Sequence, residues 1–251
     1  MINPMNLEGK RILVTGASSG IGCETAILLS KLGAKIIAVS RNEEKLNHTI
    51  KRMDGDGHSY YSMDLANIQG IEGQFKRIIE EQGKLNGMFH CAGNVHLRPL
   101  KLCSYEFLHG DMLSSFYAFV ELSRLFANKK YHNDSGSIVV MSSIASLKGD
   151  KGKVAYCAAK AAIDGAVRAI AVELADRNIR VNSIVASMIK TNMYEESLRL
   201  VGQEAFDKMM ERQLLGAGET GDIANAVAFL LSDASKFITG SGMTVDGGYF
   251  A

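Results

Sequence analysis

Apolar positions along the chain fall in short, nearly unbroken runs separated by longer stretches with helical spacing. "RILVT" (11–15), "AKIIAVS" (34–40), "HSYYSM" (58–63), "LNGMFHCA" (85–92), "GSIVVMS" (136–142) and "IRVNSIV" (179–185) are rich in β-branched and aromatic residues and do not alternate strictly with polar ones. Such runs predict strands buried on both faces, as in a parallel sheet covered by helices. Between them, amphipathic patterns predict helices at about 20–32, 42–53, 67–82, 104–130 and 154–176. A last helix near 220–232 and a short strand around "GMTVDGG" close the chain. This strand-helix alternation predicts an α/β fold, a Rossmann-like doubly wound parallel sheet of about seven strands with helices on both faces.

Nothing marks a place to divide the chain. There are two prolines, Pro4 and Pro99, no Ser/Gly/Pro-rich linker and no solenoid-length repeat, so residues 1–251 read as a single domain. With 47% apolar residues it has enough material for one large core.

Formal charge is +1, with acidic and basic residues interspersed, which argues against nucleic acid or a membrane surface as partner. The first residues lack the apolar stretch of a signal peptide, and no window could span a bilayer, so a cytoplasmic protein is expected. Cys23, Cys91, Cys103 and Cys157 form no CxxC pair and have no His at ligand spacing. Buried reduced thiols, with no metal site, are the expectation.

"VTGASSGIG" ends the first strand and opens the first helix, the context in which glycines matter. Gly16, Gly20 and Gly22 let backbone approach a pyrophosphate, which the helix N-terminus can hold with free N–H groups and its dipole. The second strand ends "AVSRN": Ser40 stands where an acid would hold the ribose of NAD, and Arg41 follows. A guanidinium there can grip a 2′-phosphate, so NADP(H) is the expected cofactor; the plainer alternative is a solvated residue at a helix start. Asp64, after the third strand, is read as an adenine acceptor or a helix cap.

"AYCAAK" places Tyr156 four residues before Lys160, on one face of a helix. By itself the pair would arise by chance in about one such chain in two. Thirteen residues earlier, Ser143 closes the fifth strand, where open α/β sheets bind ligands. Hydroxyl, phenol and ammonium could converge on one carbonyl oxygen.

With these pieces the sequence resembles the short-chain dehydrogenase/reductase family from about Leu7 to Phe250, through "TGASSGIG", "DL" at 64–65, "AG" at 92–93, Ser143, "YCAAK", "RVNSI", Thr191 and "ITGSGMTVDGG". It is most similar to its 3-oxoacyl-acyl-carrier-protein reductases. The resemblance implies strand order 3-2-1-4-5-6-7, hydride transfer from a nicotinamide, and a homotetramer or homodimer. It places cofactor contacts at Gly16, Ser18, Ser19, Gly20, Ile21, Gly22, Ser40, Arg41, Asp64, Leu65, Ala92, Gly93, Tyr156, Lys160, Ile189 and Thr191. It makes Ser143, Tyr156 and Lys160 catalytic, adds Asp111, and brings in an acyl-thioester substrate, with acyl-carrier protein as a partner and fatty acid biosynthesis as the setting. Tyr156 would give its proton to the developing alkoxide, aided by Lys160, while Ser143 orients the carbonyl.

Four departures from that family stand out. Asp111 replaces an Asn of the proton relay, and an anion there would raise the Tyr156 pKa and weaken oxidation more than reduction; alternatively it points away. "HCAG" at 90–93 replaces Asn-Asn-Ala-Gly, with His90 and Cys91 expected in the core. Ala186 and Ser187 replace a Pro-Gly pair, which predicts a looser loop beside the nicotinamide. Residues 192–218, with Met193, Met209 and Met210, resemble the variable substrate lid. Two alternatives stay open: the same chemistry on a sugar, polyol, steroid or other secondary alcohol, and a non-catalytic NADP(H)-binding sensor or scaffold.

Overall fold

In a computed structural model, which describes residues 3–251, the predicted strands all form. The first two positions of the expected 1–251 domain lie outside the described residues. Among the described residues seven strands make one parallel sheet in the order β3-β2-β1-β4-β5-β6-β7. They are β1 (Arg11–Thr15), β2 (Lys35–Ser40), β3 (Ser59–Ser62), β4 (Leu85–His90), β5 (His132–Met141), β6 (Ile179–Ala186) and β7 (Gly242–Val245).

Burial explains the unbroken apolar runs. Leu13 of β1 faces one core, with Ile37, Val39, Ile138 and Val181, while its neighbours Ile12 and Val14 face another, with Ile36, Phe89, Val139 and Ile184. The first core is covered by α3 (Ile68–Gln82), α5 (Ala118–Phe126) and α6 (Val154–Leu174) through Phe75, Phe119, Phe126 and Ile163. The second is covered by α1 (Gly20–Lys31) and α9 (Thr220–Leu231) through Leu29, Ile223, Val227 and Leu231. Every residue of such a strand has a layer to pack against, so no polar face is left to create alternation. In α6, Ala155, Ala159, Ile163, Val167 and Ala171 are buried at four-residue spacing, and small residues at its start let the helix lie close to β6.

The helix expected at 104–130 is broken. α4 (Tyr105–Met112) passes through a π-turn, Leu113–Tyr117, into α5. Its cause is tertiary: the buried His90 ring places Nε2 3.1 Å from the carbonyls of both Ser114 and Ser115, and the Ser115 hydroxyl donates to the Asp111 carbonyl (2.9 Å). Carbonyls drawn out of the helix ladder are what a π-turn leaves available.

Strand order reverses between β1 and β4, so the crevice beyond their C-terminal ends is where a ligand fits. α2 (Glu43–Ile50) flanks it on one side, and α7 (Asn192–Val201) and α8 (Gln203–Met210) hang over it on the other. No helix of the described residues is long and apolar enough to cross a membrane.

Candidate active site

A cleft of about 640 Å³ runs across the C-terminal edge of the sheet. All the cofactor positions expected from the sequence line it, from Gly16 through Thr191, together with Ser143, Tyr156 and Lys160. Asp111 does not.

At the nucleotide end, Gly16 adopts φ +69°, and a Cβ there would lie 3.1 Å from the Ala92 nitrogen. A Cβ on Gly22 would overlap the Gly16 carbonyl oxygen. The loop therefore closes tightly on β4, leaving the start of α1 with no side-chain cap and no acid in its first turn. Such an end suits an anion. The hydroxyls of Ser40 and Ser187, both facing the cleft, are buried without a partner. Glycine cradle, open helix end and orphaned hydroxyls together fit a nicotinamide dinucleotide.

Arg41 follows β2 at the cleft rim, and among the described residues its guanidinium has no ion-pair partner; Lys45, in the first turn of α2, lines the same rim. Asp64 accepts from the Ala66 N–H (3.0 Å), bracing its own turn while facing the cleft. The helix cap of α3 is Asn67 instead.

At the other end, α6 carries Tyr156 and Lys160 on its first two turns. Asp164, one turn further, accepts from the Ser142 hydroxyl (2.9 Å) and the Ser183 hydroxyl (2.7 Å), pinning the helix to the ends of β5 and β6. The Ser143 hydroxyl is thereby held in hydrogen-bonding range of the Tyr156 phenol. Burial raises the phenol's pKa above its ordinary value, and the bond from Ser143 only partly offsets this. Lys160 Nζ sits 5.6 Å from the Tyr156 ring centroid and donates to the Met141 carbonyl (2.7 Å). Burial pulls its pKa down to about 8, against the opposing pull of Cys91 and Asp164.

His90 is buried, its pKa pushed down to about 4 first by burial and then by Lys160. The neutral ring accepts from the Thr15 hydroxyl at Nδ1 (3.0 Å) and donates from Nε2 to the π-turn. Burial drives the Cys91 thiol up to about 12, leaving it inert. All four cysteines are free, but only Cys23 is fully buried; the other three are half-buried.

Two expectations about the departures are revised. The Asp111 carboxylate is bound to His96 Nδ1 (2.6 Å), a side chain on the outer face of the β4–α4 connection, and Asp111 does not line the cleft that holds Tyr156. The loop after β6 lacks proline, yet it is not left loose. Buried Gln213 accepts from the Met188 N–H (3.2 Å) and donates to the Met188 carbonyl (3.0 Å), and Ile189 bridges to Gly218. The loop's order comes from packing that no local pattern announces. The sequence reading also passed over Lys45, Ser187, Lys148, Asp150, Lys153 and Tyr249 as cleft residues.

The family profile described as Enoyl-(Acyl carrier protein) reductase matches residues 16–250. The chain is 30% identical over 247 residues to 3-oxoacyl-[acyl-carrier-protein] reductase FabG of Thermotoga maritima, covering 97% of this chain and 99% of that protein. A solved 7-alpha-hydroxysteroid dehydrogenase, complexed with NADH and 7-oxo glycochenodeoxycholic acid, superposes with TM-score 0.90 at 28% identity, covering 99% of this chain and 98% of the other. A short chain dehydrogenase of Burkholderia cenocepacia in complex with NADP gives TM-score 0.89 at 27% identity, covering 98% and 100%. Fold, cleft and relatives agree: the chain belongs to the short-chain dehydrogenase/reductase family and is an oxidoreductase acting on CH–OH and C=O groups.

Proposed function

We propose that the chain reduces a ketone to a secondary alcohol with NADPH, on a 3-oxoacyl thioester, and that Ser143, Tyr156 and Lys160 carry the reaction. The supporting observation is their convergence on one wall of the cleft that also holds the glycine loop. Bound nicotinamide supplies the hydride. The Ser143 hydroxyl donates to the carbonyl oxygen and fixes its position. Tyr156, a phenol protonated at neutral pH whose pKa burial raises further, gives its Oη proton to the oxygen as negative charge develops there. The Lys160 ammonium, with one N–H on the Met141 carbonyl, steadies the tyrosinate left behind. Asp111, turned toward His96, holds the α4 end of the site without touching the reacting atoms.

The choice of NADPH rests on Arg41 and Lys45 at the rim, beside a serine where a carboxylate would repel a 2′-phosphate. Residues 192–218 act as the lid, with Met193, Tyr194, Leu200 and Met209 facing the cleft. A homotetramer accords with large apolar side chains left in solvent on separate elements, among them Leu100, Tyr105, Val172 and Phe237. Acyl-carrier protein as carrier and a cytoplasmic setting in fatty acid synthesis complete this reading. The apolar lid keeps a second substrate class in play, a steroid or other bulky secondary alcohol. A silent NADP(H)-binding scaffold would not need the serine, phenol and ammonium assembled at one cleft.

The test follows NADPH absorbance with a short 3-oxoacyl thioester, for wild type and Tyr156→Phe, and repeats it with NADH. Turnover abolished by the Phe change, and weaker with NADH, supports the assignment. NADPH binding without turnover on any ketone would favour the scaffold.

A further inference from the structure

The segment between Ser143 and Tyr156 carries charge that carbonyl chemistry does not use. Lys148 Nζ donates to Asp150 Oδ1 (2.9 Å) and to the Tyr249 hydroxyl (2.5 Å), and lies 4.6 Å from the Tyr249 ring centroid. Lys153 Nζ donates to Asp150 Oδ2 (3.1 Å). All four side chains line the same cleft as Ser143 and Tyr156, and the two lysine side chains are only 21% and 20% exposed.

Three of the six ammonium N–H groups make bonds to Asp150 and Tyr249. Among the described residues the cluster therefore offers a ligand three free N–H donors, while each Asp150 oxygen already accepts from one lysine. Burial opposes charge on Lys148, but its bonds to Tyr249 and Asp150 outweigh burial and hold its pKa above the ordinary value. Burial likewise pushes Asp150 up, and the two lysines outweigh it and hold it low. By formal charge, two lysines against one carboxylate leave one net positive charge. Glu196 of the lid also lines the cleft, but it is exposed and screened by solvent. The remaining cleft charges are the buried Lys160 and, at the nucleotide end, Arg41, Lys45 and Asp64.

The cluster is set in place before any ligand arrives. The Arg98 N–H donates to the Gly152 carbonyl (2.8 Å), and Tyr249 stands on a turn closed by Asp246, which accepts from the Gly248 N–H (3.0 Å). A preorganised donor set loses little order on binding. Apolar Val95, Leu97, Ile144 and Ala145 also line the cleft.

We propose that Lys148 and Lys153 form a subsite for an anionic group, carboxylate or phosphate, that the substrate carries away from its reacting carbonyl. The proposal rests on the carbonyl-reductase reading above and narrows its substrate to amphiphilic oxo-acids or phosphate-bearing acyl thioesters.

The test separates binding from turnover. Straight-chain oxo-carboxylates of increasing length, each beside its methyl ester, are titrated calorimetrically into the protein saturated with NADP+, in which the ketone cannot be reduced. A second pair compares the 3-oxobutyryl thioester of 4′-phosphopantetheine with that of pantetheine, which lacks only the phosphate. The expected result is a preference of about tenfold for the anion in at least one pair, lost in Lys153→Gln and kept in Lys153→Arg. A preference among the oxo-acids identifies a substrate carboxylate, and one confined to the thioester pair identifies a carrier phosphate. Equal affinities in every pair, no binding by any member, or a preference that survives Lys153→Gln overturns the proposal. If NADPH turnover is absent for every ketone while the charge preference persists, it is the reductase reading that fails and the anion subsite stands.

Discussion

Asp111 Oδ1 lies 2.6 Å from His96 Nδ1, and Asp111 does not line the cleft that Tyr156 lines. The Asp111 side chain is 6% exposed, and its second oxygen is buried without a partner. His96 is thus the group that makes an otherwise costly buried carboxylate tolerable. His96→Ala should destabilise the protein by about 2 kcal/mol in urea titration, and by less in an Asp111→Asn background. Asp111→Asn alone should leave the alkaline limb of the pH profile for alcohol oxidation where it is. A shift of that limb would mean that Asp111 acts on the phenol after all.

Gln213 does for the loop after β6 what a proline would do by restricting its backbone. Its amide meets both polar groups of Met188, so Gln213→Leu would strand the partly buried Met188 N–H and leave the Met188 carbonyl with the Gly218 N–H alone. We expect a loss of about 2 kcal/mol in stability and a several-fold weaker dinucleotide affinity by fluorescence titration. Gln213→Glu keeps the acceptor and loses the donor, and should fall between the two. Unchanged dinucleotide affinity in Gln213→Leu would detach this brace from the cofactor site.

These two pairs show where sequence reading stops. The sheet, its helices and the cleft positions from Gly16 to Thr191 were legible because each depends on local periodicity, a glycine demanded by close approach, or a motif with fixed spacing. The π-turn was not, since helical spacing continues through Leu113–Tyr117 and the cause is a histidine more than twenty residues upstream. Gln213 reads as one polar residue in a charged stretch, and only folding brings it under Met188. Lys148 and Lys153 left a usable signal: a charged segment bounded by Ser143 and Tyr156 cannot lie far from either. Tyr249 left none, because a long-range contact brings it to Lys148.

Lys160 is a liability to the fold. Its pKa falls from the ordinary 10.5 to about 8 on burial, so below pH 8 folding carries the full cost of a buried ammonium. Between about 8 and 10.5 the unfolded chain keeps a proton that the folded chain has lost, and stability contributed by this residue rises with pH. The full difference is about 3 kcal/mol, less about 1 kcal/mol for the hydrogen bond to the Met141 carbonyl. Lys160→Met should therefore be about 2 kcal/mol more stable than wild type at pH 7 without dinucleotide, with the advantage shrinking toward pH 10. Urea titrations at the two pH values measure this directly, and a variant less stable than wild type at pH 7 would show that the lysine is satisfied where it sits.

Asp164 couples the helix that carries Tyr156 and Lys160 to the strand that leads into Ser143. Both its oxygens accept hydroxyl donors, from Ser142 at the end of β5 and Ser183 within β6. Asp164→Ala leaves two buried hydroxyls without acceptors and releases α6 from the sheet at the height of Lys160, a loss of about 3 kcal/mol. Asp164→Asn keeps one acceptor, and the other hydroxyl can rotate to accept from the new amide, so its cost should be nearer 1 kcal/mol. If positioning is what Asp164 supplies, turnover should fall with little change in KM, and more in Asp164→Ala than in Asp164→Asn. A rise in KM at constant kcat would place its effect on substrate binding instead.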